Sequence, residues 1–251
     1  MRTSCIKIDI RNESILRKIQ TLKTEHPFWG YRRVGAHLNF IDKILVNKKP
    51  VLRLMKKHHL IVNKDTKIKA KRTPDKPKPR AERPNEIYGI DMTKIELEHE
   101  GWAYLVLVID WYTKKIIGHT LDVRSKNSHW LSALNQAACL QCPDGTRLKG
   151  LKLVSDNGCQ PTSVAFMKAA SLMGIEQIFT SYNNPKGNAE TERVFRTLKE
   201  EIVWTREYQS LSQLEKSITN WINYYNNQYL RSSLGYKPPV QVEQEYRGKA
   251  A

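Results

Sequence analysis

Apolar positions recur at helical spacing near the start of the chain. Ile15, Leu16, Ile19 and Leu22 share one face of a helix that His26-Pro27 ends. The run Phe28-Trp29-Gly30-Tyr31-Arg32-Arg33-Val34 opens a second helix, with Val34, Ala36 and Leu38 apolar. Pro50 suits the first turn of a third, which carries apolar Val51, Leu54 and Met55 and basic Arg53, Lys56 and Lys57. Short helices, tight connections and basic residues predict a helix-turn-helix-like module over residues 1–62; a basic three-helix bundle that touches only protein is the alternative. The pattern then fails over residues 63–84. There Lys69, Lys71, Arg72, Lys76 and Lys78 mix with Pro74, Pro77, Pro79 and Pro84, and too little apolar surface remains to pack. This stretch reads as an extended basic linker, either a strap along a phosphate backbone or a solvated spacer.

From residue 85 the period changes. Ile87-Tyr88-Gly89-Ile90-Asp91-Met92-Thr93 reads as a strand, and 102–110 is a continuous apolar run, as expected of a central strand covered on both faces. Trp111-Tyr112-Thr113-Lys114 is a connection and 115–121 the next strand, so the three strands form an antiparallel meander. Helix is predicted over 127–142, strand over 151–155, helix over 163–173, strand over 175–180 and helix from Asn188 onward. One more helix follows Glu201, with Leu211, Leu214, Ile218, Trp221, Ile222 and Tyr225 apolar. The result is an α/β domain over 85–246 with five strands, in the element order β-β-β-α-β-α-β-α.

Charge narrows the choice of partner. The 251 residues hold 42 Lys and Arg against 25 Asp and Glu, a formal net charge of +17, which favours a polyanion and above all nucleic acid. No apolar run is long enough to span a membrane, and Met1-Arg2-Thr3-Ser4 has no signal-peptide pattern, so no leader is expected. Cys139 and Cys142 form a C-x-x-C without a second pair, and His58 and His59 are adjacent, so no zinc site is expected; the two cysteines read as buried in a helix.

Three acids carry the candidate chemistry. Asp91 interrupts a strand, Asp156 ends one before the turn Asn157-Gly158, and Glu192 lies in the opening turn of a helix. Taken singly, each reads equally well as a turn or cap acid. Brought together they would repel one another unless a hard divalent cation neutralised them. Two other acids compete. Asp110 precedes Trp111-Tyr112-Thr113-Lys114, where a turn-capping role is simpler. Glu190 lies two residues, about 200°, from Glu192 around a helix and is placed for the helix N-terminus, with Asn188 as N-cap. Glu192, Arg196 and Lys199 share a face.

The run Ile90-Asp91-Met92-Thr93, the turn Ser155-Asp156-Asn157-Gly158, the loop Asn184-Pro185-Lys186-Gly187-Asn188-Ala189 and the helix Glu192-Arg193-Val194-Phe195-Arg196-Thr197-Leu198-Lys199 resemble the DDE transposases and retroviral integrases. The likeness is to the second-frame transposases of the IS-three family of bacterial insertion sequences, and it covers nearly the whole chain. It implies an RNase H-like fold, a mixed five-stranded sheet flanked by helices with its first and fourth strands side by side, and Asp91, Asp156 and Glu192 as catalytic metal ligands for Mg2+, or Mn2+ in its stead. It also implies DNA strand cleavage and strand transfer. Lys186, Arg193, Arg196 and Lys199 are candidates for phosphate contact near the site; Arg32, Arg33, Lys69, Lys71 and Arg72 are candidates elsewhere on DNA. The implied partners are element terminal repeats, target DNA, further copies of the chain on DNA and an upstream-frame helix-turn-helix segment, in a bacterial cytoplasm. The family signature near the C-terminus more often has Arg where Tyr229 stands and His where Arg231 stands. A nuclease that only hydrolyses, and a DNA-binding protein without catalysis, are the alternative readings.

Overall fold

A computed structural model describes residues 3–61, 80–147, 149–180 and 188–250. Two compact units divide the chain: Met1–Lys71 with Leu230–Tyr236, and Arg72–Tyr229 with Lys237–Ala251.

Among the described residues the first unit contains three α-helices, α1 (Thr3–Glu25), α2 (Tyr31–Phe40) and α3 (Lys48–Lys57). Ile15, Ile19, Leu22, Val34, Leu38, Val51 and Met55 are buried, so the helical spacing seen in the sequence makes the core. Trp29 stacks on His26 at 4.0 Å where the chain turns from α1 to α2. Sequence reasoning assigned 230–236 to the α/β domain. In the structure this segment belongs to the helical unit, where the Tyr236 ring meets Phe40 at 6.3 Å and the Lys48 ammonium lies 5.6 Å from the same ring.

In the second unit β1 (Ile87–Leu97), β2 (Gly101–Asp110) and β3 (Ile116–Asp122) form the antiparallel meander. Then come α4 (Asn127–Gln141), β4 (Lys152–Ser155), α5 (Val164–Leu172), β5 (Glu176–Phe179) and α6 (Ala189–Leu198). The sheet order is β3-β2-β1-β4-β5, with β4 and β5 parallel to β1. Tyr88, Ile90, Val106, Val108, Leu153, Trp130, Leu134 and Phe166 fill the core between one sheet face and the helices α4 and α5. β2 is less covered than its apolar run implies, because Trp102 near its start is exposed.

Beyond α6 the helix widens into a π-helical turn, Lys199–Val203, and α7 (Leu211–Asn227) follows. The Asn226 side chain accepts from Ile116 N and donates to Ile116 O, each at 2.9 Å, which covers part of edge strand β3. Sequence reasoning missed the last helix, α8 (Pro239–Ala250), which begins at a proline, a residue well suited to a first helical position. Two further differences are local. Cys139, in the last turn of α4, is exposed, and of the two only Cys142 is buried, just past the helix end where the backbone has left helical geometry. Tyr229 and Arg231 are both buried, Tyr229 against the Tyr225 ring at 5.3 Å.

Candidate active site

Strand alternation decides where Asp91 goes. Tyr88, Ile90 and Met92 point into the core under α4 and α5, so Ile87, Gly89 and Asp91 take the other face, the one on which α6 lies. β1 and β4 pair in parallel as far as Gly89 with Val154; two more steps in that register set Asp91 level with Asp156. Asp156 is exposed just past the end of β4, and its Oδ1 accepts from Gly158 N at 3.1 Å. Asn157 Nδ2 donates to Thr180 O at 2.6 Å and holds this turn to the end of β5.

Glu192 arrives from α6, which rests directly on the β1 backbone. A Cβ on Gly89 would lie 2.1 Å from Thr191 Oγ1 and 2.3 Å from Trp111 Nε1, so only glycine admits this approach. Trp111 Nε1 donates to Thr191 Oγ1 at 3.4 Å, and Asn188 Nδ2 donates to Ile90 O at 3.3 Å. Asn188 is therefore the N-cap by position only: its side chain makes no capping bond and reaches β1 instead. Glu190 pairs with Lys114 at 2.9 Å, on a different side of the helix from the exposed Glu192. Sequence reasoning did not single out Gly89, Trp111 or Thr191. The one local signal was a glycine inside a strand two residues before an acid.

Electrostatics joins the acids. Burial pushes the Asp91 carboxyl up to about 7; the hydrogen bond it accepts from Met92 N opposes this, the charges of Asp156 and Glu192 raise it further, and Lys199 lowers it. Asp91 thus senses the other two acids, although the three do not converge. Among the described residues no group of three or more His, Cys, Asp or Glu side chains is arranged to hold a metal ion. Carboxylates at one site repel until a cation neutralises them. The donor set of carboxylate oxygens, without sulfur or imidazole, suits a hard divalent ion. A half-buried acid held near neutrality by desolvation and like charge is the group such an ion would relieve.

The remaining candidates separate. Lys199 opens the π-helical turn and acts electrostatically on Asp91. Arg193 is exposed, and Arg196 is exposed and paired with Glu200 at 2.9 Å. Arg32 and Arg33 lie on α2 in the helical unit, over the rings of Tyr31 and Trp29 respectively. Lys69, Lys71, Arg72 and Lys186 fall outside the described residues. Asp110 is a buried turn cap: its carboxylate accepts from Asn85 N at 2.6 Å, Tyr112 N at 2.9 Å, Thr113 N at 2.7 Å and Thr113 Oγ1 at 3.0 Å. Burial raises its pKa and those donors pull it back.

Comparison with known proteins agrees with this geometry. Two family models described as integrase core domain match residues 81–185 and 173–239, and an HTH-like domain model matches 10–67. The chain is 26% identical over 166 residues to the transposase for insertion sequence element IS629 of Shigella sonnei, covering 66% of this chain and 54% of that protein. It is 30% identical over 162 residues to an uncharacterized transposase-like protein of Haemophilus influenzae, covering 64% of this chain and 71% of that one. The chain therefore spans little more than half the length of the first of these relatives. A chain of the simian T-cell lymphotropic virus intasome in complex with PP2A regulatory subunit B56 gamma shares the fold, with a TM-score of 0.55 at 16% identity over 90% of this chain and 74% of that one.

Proposed function

The chain belongs to the integrase-core family of transposases, and from that premise we propose that it is the catalytic part of a DDE transposase of a bacterial insertion sequence, of the IS-three type, which cleaves DNA strands and joins them to target DNA. One observation carries the reading. Asp91 on β1 is coupled electrostatically to Asp156 beyond β4 and to Glu192 on α6, although the three come from distant parts of the chain. Asp91 and Asp156 would hold divalent cations, Mg2+ by preference and Mn2+ as a substitute, and Glu192 would complete the set. Bound cations would stabilise charge on the attacking and leaving oxygens of an in-line phosphoryl transfer. The chain's own groups do the rest. Lys186, Arg193, Arg196 and Lys199 hold phosphates in register without reading sequence. Strand transfer of this kind needs no covalent protein–DNA link, so no Ser or Tyr nucleophile is assigned.

Residues 1–62, with Arg32 and Arg33, serve as a DNA-binding region, and 63–84 as a basic strap along the backbone through Lys69, Lys71 and Arg72. Residues 85–246, apart from 230–236, serve as the catalytic core. The net charge of +17 supports a DNA partner, here the element's terminal repeats and its target, in a bacterial cytoplasm. Two ends require two active sites, so the working form is an oligomer on DNA, with an upstream-frame segment adding end selectivity. The test is a strand-transfer assay with labelled terminal-repeat DNA in Mg2+ or Mn2+. Products joined to target DNA are expected. Shortened DNA alone would make the chain a nuclease, and binding without either product would make it a DNA-binding protein only.

A further inference from the structure

We infer that the connection between β2 and β3 is a positioning device for Glu192: Trp111 and Lys114 grip the first turn of α6 and set the rotation of that helix over Asp91. This rests on the transposase reading above. The connection is rigid, because the 2%-exposed Asp110 collects the donors of Asn85, Tyr112 and Thr113 around its carboxylate. Trp111 is fixed at its backbone, with N donating to Ile87 O at 2.9 Å, and its indole then reaches α6. Lys114 donates to Trp111 O and pairs with Glu190 at 2.9 Å.

The residues gripped are the two immediately before Glu192. Successive helical residues are about 100° apart, so fixing Glu190 and Thr191 fixes the direction of Glu192. A second tether runs from the other acid. Asn188 Nδ2 bonds Ile90 O beside Asp91, and Glu192 N donates to Asn188 O at 3.0 Å, so two hydrogen bonds link the neighbours of both acids.

Packing alone does not account for this contact. Thr191 is fully buried, yet it meets β1 at a glycine and presents a hydroxyl to an indole N–H. Apolar contact tolerates sliding and rotation; a buried polar pair at a notch fixes one register. Trp111, Lys114, Thr191, Glu190 and Asn188 thus act through Glu192 and are positioning residues.

The test uses the full chain. Mn2+ binding is measured by electron paramagnetic resonance without DNA, and Mg2+ dependence is measured in the cleavage assay. Thr191→Val removes the acceptor at nearly constant shape. It should weaken Mn2+ binding about 10-fold, the low end of what loss of a partner that orients a metal ligand costs, and raise half-saturating Mg2+ similarly, with the KM for DNA unchanged. Thr191→Ser should restore both. Thr197→Val removes a hydroxyl bonded to Arg193 O at 3.0 Å on the same helix, away from the grip, and should change neither. Should Thr191→Val fail to fold, Glu190→Gln carries the test, with an expected weakening of about 3- to 5-fold from loss of a partly exposed ion pair. A folded Thr191→Val, or in its stead Glu190→Gln, with wild-type Mn2+ affinity and Mg2+ dependence would overturn the inference. Wild-type protein that neither binds Mn2+ nor cleaves DNA would overturn the transposase reading instead.

Discussion

Replacing Asp91 by asparagine should stabilise the metal-free protein while abolishing its chemistry. The carboxyl stands at about 7 in the folded chain against an ordinary 3.8, mainly through burial. A raised folded pKa gives stability that is complete below about pH 4 and is lost as pH rises through about 7. Each pKa unit is worth about 1.4 kcal/mol, so the ionised, metal-free Asp91 costs the native state up to about 4 kcal/mol at pH 8. Solvent reaching a half-buried group trims this to roughly 2–4 kcal/mol. Asparagine keeps an oxygen to accept from Met92 N, a bond of 2.8 Å, and carries no charge against Asp156 or Glu192. The assay is urea unfolding of wild type and Asp91→Asn in EDTA between pH 4.5 and 8.5. Taking the difference between the two cancels the titrating groups that do not interact with Asp91. That difference should be about 1 kcal/mol or less at pH 4.5 and grow to roughly 2–4 kcal/mol in favour of the variant at pH 8.5. Mg2+ should then raise the wild type alone and narrow the gap, because metal binding displaces the proton and needs the carboxylate. A difference that is flat with pH, or a variant less stable than wild type at pH 8.5, would refute the desolvation argument and the site built on it.

Gly89→Ala should cost about 2–3 kcal/mol and nearly all cleavage, since its methyl would lie 2.1 Å from Thr191 Oγ1 and push α6 off β1; thermal melts and the cleavage assay check both, and a wild-type melt would show that the helix has room. Glu192→Gln should abolish cleavage and joining with DNA binding intact, whereas Glu190→Gln should retain most activity at saturating Mg2+; the reverse pattern would reassign the third acid. Neutralising Lys69, Lys71, Arg72, Lys76 and Lys78 should weaken binding alike on all DNA sequences and flatten the salt dependence by roughly 0.9 per lost phosphate contact. Loss of sequence preference at an unchanged salt slope would mean that the linker reads bases.

Local patterns in the sequence were enough for the order of the elements from β1 to α7 and for which residues of a segment share a face; the three acids were singled out by the family resemblance. A period of two assigns Ile90 and Asp91 to opposite faces of β1, and a period of 3.6 puts Val194, Phe195 and Leu198 on the buried side of α6. Both depend only on neighbours in the chain. The turn around Asp110 was legible for the same reason, since its partners Tyr112 and Thr113 follow within three residues. The seat of α6 on β1 was not. It is set by Trp111 on Thr191, 80 positions apart, and by Asn188 on Ile90, 98 apart, at a glycine that looked ordinary in its strand. Asn188 had a local role available as a cap, and Glu190 a local role at the helix N-terminus; each found a more distant partner instead. Leu230–Tyr236 likewise followed the helical unit, where rings separated in sequence, Phe40 and Tyr236, stack on each other. Periodicity reports what one segment can bury, but where a helix comes to rest depends on the surface that receives it, and for α6 that surface is assembled only when β1 and the β2–β3 connection are already in place.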